Sequence, residues 1–181
     1  QRQSGAVKRF FMRRFLHRIR IWDHVAAQRP DSLVANSRHV QARIRRYWGR
    51  DSVVIHPPVD TELFTADGRG VDPATGYFLF FGQLVPYKRA DLAVRVFNEN
   101  GLPLVVAGEG PQLKKLRRIA KKNIRFVGRV SGVAVPDLYR GCRALIFPGE
   151  EDFGIIPLEA QACGRPVIAY GCGGALETVL E

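Results

Sequence analysis

No stretch of this chain reaches the roughly 18 consecutive apolar residues of a membrane-spanning helix, so a helical membrane span is not expected. The basic first residues are not followed by an apolar signal core, and no secretory signal is read there. Cysteine is scarce. Cys142, Cys163 and Cys172 are odd in number, match no metal spacing and sit among apolar or small residues. They are expected as small buried hydrophobes in a reducing compartment, not as a disulfide framework. The four histidines, His17, His24, His39 and His56, form no ligand-spaced pair, and no Ser/His/Asp arrangement is evident. No metal site is expected. A G-x-G-x-x-G fingerprint after a first strand is missing as well, which weakens any NAD or FAD reading. There is no internal repeat or low-complexity tract.

What is present suits a folded domain. The 181 residues are 46% hydrophobic and 25% charged, enough for one real core. Opening on Gln1 and stopping at Glu181, within a segment that reads as helix, the chain is expected to be a fragment of a longer protein. Its net charge of +11 is unevenly spread. Residues 1–50 hold 13 Lys/Arg against Asp23 and Asp31, whereas basic and acidic residues balance in 51–181. The basic excess belongs to one segment.

That segment reads as a helix over residues 5–28. Val7, Phe10, Phe11, Phe15, Ile19, Trp22, Val25 and Ala26 recur at spacings of three and four, arginines fill the other face, and Pro30 closes it. Asn36-Ser37 can cap a second basic helix over about 38–48. Val53-Val54-Ile55 reads as a strand ended by His56-Pro57-Pro58, and residues 65–76 as a loop. The domain boundary belongs between 56 and 76; residues 1–56 are assigned to the first part and 57–181 to the second.

From Tyr77 onward strands and helices alternate. Strands Tyr77–Phe81, Leu104–Ala107, Ile124–Val127, Ala144–Phe147 and Pro166–Tyr170 precede helices near 89–99, 111–121, 134–141, 156–163 and from Ala175. Alternation of this kind predicts an α/β, Rossmann-like, doubly wound parallel sheet covered on both faces. Ligands in such sheets bind beyond the carboxyl ends of the strands, so the five strand-to-helix loops carry the candidate chemistry.

The first loop, Gly82 to Arg89, puts Lys88 and Arg89 at a helix start; they serve an anion or are solvated loop residues. Gly108 opens the second loop, where glycines permit a tight turn beside a ligand. Arg129 and Val130 lie in the third, which borders a planar base or is a plain turn. The fourth, Pro148 to Glu159, is the richest. Pro157 marks a first helical turn, so the N–H groups of Gly154, Ile155 and Ile156 point outward as an anion site made of main chain. Acidic residues Glu150, Glu151 and Asp152 precede it, and Glu159 is placed within the first turn. Carboxylates accept paired hydrogen bonds from neighbouring sugar hydroxyls, and phosphate donors beside hydroxyl acceptors describe a nucleotide-sugar. Equally, Glu159 could be an N3 cap and the acidic run a solvated loop. The fifth loop, Gly171 to Gly174, adds main-chain amides or is a flexible turn.

Taken in order, these loops resemble glycosyltransferase family 4, a large retaining GT-B family. EDFGIIPLE has its Glu-x7-Glu pattern, with Glu151 and Glu159 at the ends. AQACGRPVIAYGCGGALETV is similar to the continuation, FFGQLVPYKRADLAVRVF to the phosphate-binding loop, and ANSRHVQARI and HPPVDTELF to the junction between two domains. The resemblance covers roughly residues 30–181, and its wording is nearest the O-antigen mannosyltransferases. It implies the C-terminal, donor-binding half of a GT-B enzyme. Lys88 would pair with the donor diphosphate; Gln83 stands where the family usually has a basic partner, with Arg89 able to compensate. Glu159 would accept from the ribose and Glu151 would sit by the transferred sugar. Main chain at Phe153, Gly154, Ile155 and Ile156 would hold phosphate or sugar oxygens, and Arg129 and Val130 would border the base. Glu151 and Lys88 are the catalytic candidates.

The activity implied is transfer of a hexose, mannose from GDP-mannose by the nearest likeness, with retention and without a metal or other cofactor. The acceptor would be a saccharide or a lipid-linked sugar, as in surface polysaccharide synthesis. Two other classes fit the same loops: a GT-B sugar-nucleotide epimerase and a non-catalytic nucleotide-sugar-binding module. The basic helix either docks on an anionic membrane surface or packs its apolar stripe on the body of the enzyme; nucleic acid is not expected as a partner. A cytoplasmic protein, peripheral on the inner face of the cytoplasmic membrane, would fit these expectations.

Overall fold

Two compact units, Gln1–Ile55 and His56–Glu181, make up the chain in the computed structural model, which describes residues 2–72 and 75–180, with side chains from residue 8. Val7 of the expected apolar stripe and positions 73–74 of the expected loop lie outside the described side chains or residues.

In the first unit, α1 spans Arg2–Ala27, β1 Val34–Ala35, α2 Arg38–Trp48 and β2 Val53–Val54. β1 and β2 pair in parallel, Val34 with Val53 and Ala35 with Val54. α2 begins because the Ser37 hydroxyl accepts from the Val40 N–H at 3.0 Å, taking up an N–H that the helix itself cannot pair. It ends where Gly49 turns left-handed. Arg50 links the two helices' ends: its guanidinium donates to the carbonyls of Ala27 and Pro30 at 3.0 and 2.9 Å. The Trp48 indole N–H donates to Asp23 at 2.9 Å. α1 buries little. Phe10, Phe11, Phe15 and Trp22 are exposed.

The second unit holds β3 Tyr77–Phe81, α3 Ala90–Asn100, β4 Leu104–Ala107, α4 Leu113–Ile119, β5 Ile124–Gly128, α5 Val135–Arg140, β6 Cys142–Phe147, α6 Ile155–Ala162, β7 Val167–Ala169 and α7 Ala175–Thr178. All five strands run parallel in the order β5-β4-β3-β6-β7. Side chains alternate between the two sheet faces. Phe80, Leu104 and Val106 pack with Ala93, Val94, Phe97 and Leu116 of α3 and α4. Leu79, Val105 and Leu145 pack with Tyr139 of α5, Ala160 of α6 and Cys163 at the end of α6. Because β4 lies on one side of β3 and β6 on the other, the order in which the chain adds strands reverses between β3 and β6. Clefts for ligands in open parallel sheets open at such a reversal.

Candidate donor-binding site

The loop after β3 and the loop after β6 flank that reversal, and they bring Lys88 and Glu151 together. Lys88 ends a short 3-10 turn, Pro86–Lys88, entered through Pro86, whose fixed φ suits it. Lys88 Nζ lies 2.7 Å from Glu151 Oε1, with both side chains about one-fifth exposed. The contact is a charge pair, since Oε1 lacks an aligned hydrogen bond. Phe80, Phe81, Phe147, Pro148 and Gly149 wall it. The two loops touch through Gly149: a Cβ there would stand 2.8 Å from Lys88 Cα and 2.9 Å from the Tyr87 carbonyl oxygen, too close for any other residue.

Glu151's main chain is held separately. Its carbonyl accepts from the Gly174 N–H at 2.8 Å, and it forms a parallel bridge with Gly173. The fourth and fifth loops are thus joined by main chain.

α6 starts at Ile155 behind Gly154, whose φ of 97° and ψ of 60° favour glycine. The N–H groups of Gly154, Ile155 and Ile156 therefore open the helix without partners inside it. Glu159 is the fifth residue of α6, with Pro157 third. It lies beyond the first turn, and the alternative of an N3 cap is excluded because a side chain at that depth cannot reach back to the cap N–H.

Glu159 has a partner the sequence reading did not name. The Tyr139 hydroxyl, on α5, donates to Glu159 Oε2 at 2.7 Å. Tyr139 is fully buried, with its ring edge-on to Phe64 and Phe81 at centroid distances of 5.9 and 5.6 Å. Burial pushes the Glu159 carboxyl above the ordinary carboxylate range, and the Tyr139 hydrogen bond opposes that in part. Burial, and then the Glu159 charge, push the Tyr139 phenol well up, so it stays a donor. Tyr139 leaves the second oxygen of Glu159 for another donor.

The other expected residues fall less centrally. Phe153 is buried and stacked on His56, centroids 5.3 Å apart, so its ring packs beneath the loop and only its main chain can meet a ligand. Val130 likewise packs against the core. Gln83, Arg89 and Arg129 are exposed. Arg89 lies 3.4 Å from Asp91 and holds a left-handed φ of 55° at the N-cap of α3, so its side chain, unlike that of Lys88, does not reach Glu151. Gly108 lies between the loops, its N–H donating to the Gly128 carbonyl at 2.7 Å. Pro111 lies in the turn before α4, which starts at Leu113 and not near the expected 111. Among the described residues no cluster of three or more His, Cys, Asp or Glu is placed to hold a metal ion.

Residues 67–181 match the family described as Glycosyl transferases group 1. The chain belongs to that family. It is 32% identical over 175 residues to a D-inositol 3-phosphate glycosyltransferase of Streptomyces bingchenggensis, covering 80% of this chain and 38% of that protein. It is 30% identical over 176 residues to a GDP-mannose-dependent alpha-(1-6)-phosphatidylinositol monomannoside mannosyltransferase of Mycolicibacterium smegmatis, covering 80% of this chain and 45% of that protein. The chain thus spans less than half the length of these relatives. Among solved structures, Anabaena Alr3699/HepE in complex with UDP and glucose superposes with a TM-score of 0.77 at 21% identity, over 90% of this chain and 50% of that one. The parallel sheet is that of GT-B C-terminal, Rossmann-like domains.

Proposed function

We propose that this chain is the donor half of a retaining glycosyltransferase that moves a hexose from a nucleotide-diphosphate sugar to a saccharide or lipid-linked acceptor. The observation that carries the reading is the juxtaposition, at the sheet reversal, of one cation, one helix start and two carboxylates: Lys88, Gly154–Ile156, Glu151 and Glu159. In this reading Lys88 and the amides at the start of α6 bind the diphosphate and stabilise it as it leaves. Glu159, steadied by Tyr139, accepts from the ribose, and Glu151 faces the sugar. No step calls for a metal or other cofactor. Arg129 borders the base, and Gln83 contributes a hydrogen bond without charge.

Mannose from GDP-mannose, in surface polysaccharide or O-antigen synthesis, is the donor and setting we favour; the mannosyltransferase relative supports it, while the UDP and glucose of the Anabaena complex keep a uridine donor in the test. Calorimetry against GDP-mannose, UDP-glucose, GDP and UDP, with Glu159→Ala as control, decides. Binding of a nucleotide-sugar at millimolar or tighter affinity, lost in Glu159→Ala, is expected; no binding by any of the four overturns the donor reading. The acceptor side belongs to the other half of such an enzyme, so the 181-residue chain is expected to bind donor with little turnover, and robust transfer by it would contradict that.

A peripheral seat on the inner face of the cytoplasmic membrane completes the proposal. On α1, Phe11, Phe15, Ile19 and Trp22 share one face at spacings of four, four and three, with Arg14 and Arg18 beside them. No described helix is long and apolar enough to cross a membrane. Exposed aromatics among arginines suit the headgroup region of an anionic bilayer. Co-sedimentation with anionic but not neutral vesicles is the expected result; equal recovery with both counts against it.

A further inference from the structure

The Lys88–Glu151 pair poses a problem for any anion that is to use Lys88. The Lys88 side chain is about four-fifths buried, in a cleft walled by Phe80, Phe81, Phe147 and Pro148, and its charge already has a carboxylate at 2.7 Å. A buried cation is costly without a counter-charge, so Glu151 neutralises Lys88 when no ligand does.

We propose that Glu151 is an internal stand-in for the donor's phosphate: the diphosphate displaces it from Lys88, and the displaced carboxylate is then satisfied only by hydroxyls of the attached sugar. This rests on the donor-site reading above. The exchange is a side-chain rotation, not a loop movement. Glu151's carbonyl is fixed to the Gly174 N–H, its backbone is bridged to Gly173, and the Lys88 turn abuts Gly149. Phosphate and sugar recognition are coupled in consequence. A nucleotide-sugar breaks the pair and supplies partners to both halves. A free nucleoside diphosphate breaks it and supplies a partner to Lys88 alone, leaving a largely buried carboxylate unmatched. The pair thus weakens the hold on the leaving product relative to the substrate, and favours product release.

The test is calorimetry of the 181-residue chain with GDP, UDP, GDP-mannose and UDP-glucose, for wild type, Glu151→Gln, Lys88→Met and the double variant. Glu151→Gln keeps the shape and removes the competing charge. It is expected to bind the free nucleoside diphosphate about five- to tenfold tighter, while the nucleotide-sugar gains less or loses. The gain is expected to vanish in the double variant, and Lys88→Met to weaken both ligands. Thermal melting of each variant confirms folding. Should Glu151→Gln misfold, the gain must instead appear in Glu151→Asp, whose shorter side chain cannot hold the 2.7 Å contact. Unchanged or weaker diphosphate binding in the folded variant, beside measurable wild-type binding, overturns the exchange and leaves the donor reading intact. No binding of any nucleotide by folded wild type overturns both.

Discussion

Glu151 and Glu159 end one nine-residue stretch, yet the fold holds them in opposite ways. Glu159 stands in the body of α6 and takes a hydrogen bond from a phenol that is fully buried and flanked by two rings. Its position is set by packing, and one oxygen stays available. Glu151 stands in a loop whose main chain is clamped while its side chain meets a flexible lysine. Its position is set by charge, and charge can be exchanged for a ligand's. The contrast shows how two identical residue types in one motif acquire a fixed role and a replaceable one.

The largest test of that contrast is Glu159→Ala. Removing the fixed acceptor is expected to weaken nucleotide binding at least about tenfold, or about 1.4 kcal/mol, by calorimetry. Equal affinity would break the comparison at its firmer end. Gly149→Ala attacks the other end. A Cβ 2.8 Å from Lys88 Cα must push the two loops apart, and denaturant melts are expected to show about 1–3 kcal/mol of lost stability. In that background Glu151→Gln is expected to have little further effect on diphosphate binding, since the pair is already separated.

Tyr139→Phe removes the hydroxyl and keeps the ring. A cost of about 1 kcal/mol is expected in stability, with the fold retained by circular dichroism. Its sharper consequence is in pH. Burial raises the Glu159 carboxyl and Tyr139 lowers it in part. For stability the sign is that of a raised carboxyl: the contribution is present below the unfolded value and is lost as pH rises through the folded one. On the proposed reading nucleotide binding runs the other way, because Glu159 would have to be ionised to accept from the ribose. Affinity is expected to fall on acidification at a pH above the ordinary carboxylate range, and at a still higher pH in Tyr139→Phe. Glu159→Gln is expected to abolish that limb; a limb unchanged in both variants would assign it to another group.

Much of the sheet unit is legible in the sequence. YFLFF and LVVA are continuous apolar runs because both faces of their strands are covered, and the helices between them show their own period. Local chemistry was legible as well: Ser37 caps α2, and Gly154 opens α6 in a backbone conformation that glycine tolerates. Boundaries slipped where two signals overlapped. Pro157 suggested a helix start later than Ile155, because proline is tolerated throughout a first turn where N–H groups have no partner. The apolar stripe of α1 was legible too, but its periodicity could not say what covers it.

Sequence alone therefore determined the alternation of elements, the glycine and proline positions that open each loop, and the kinds of groups gathered at the strand ends. These are local properties, set by side-chain period and backbone sterics within a few residues. Tertiary structure alone decided which groups meet. Lys88 reaches Glu151, Tyr139 reaches Glu159 and His56 stacks on Phe153 across separations of 63, 20 and 97 residues. The first meeting follows from the order β5-β4-β3-β6-β7, which brings the loops after β3 and β6 together where the strand order reverses; the second needs α5 and α6 packed on one face of that sheet. Strand order is a global packing solution, and no single loop carries the information that selects its neighbour.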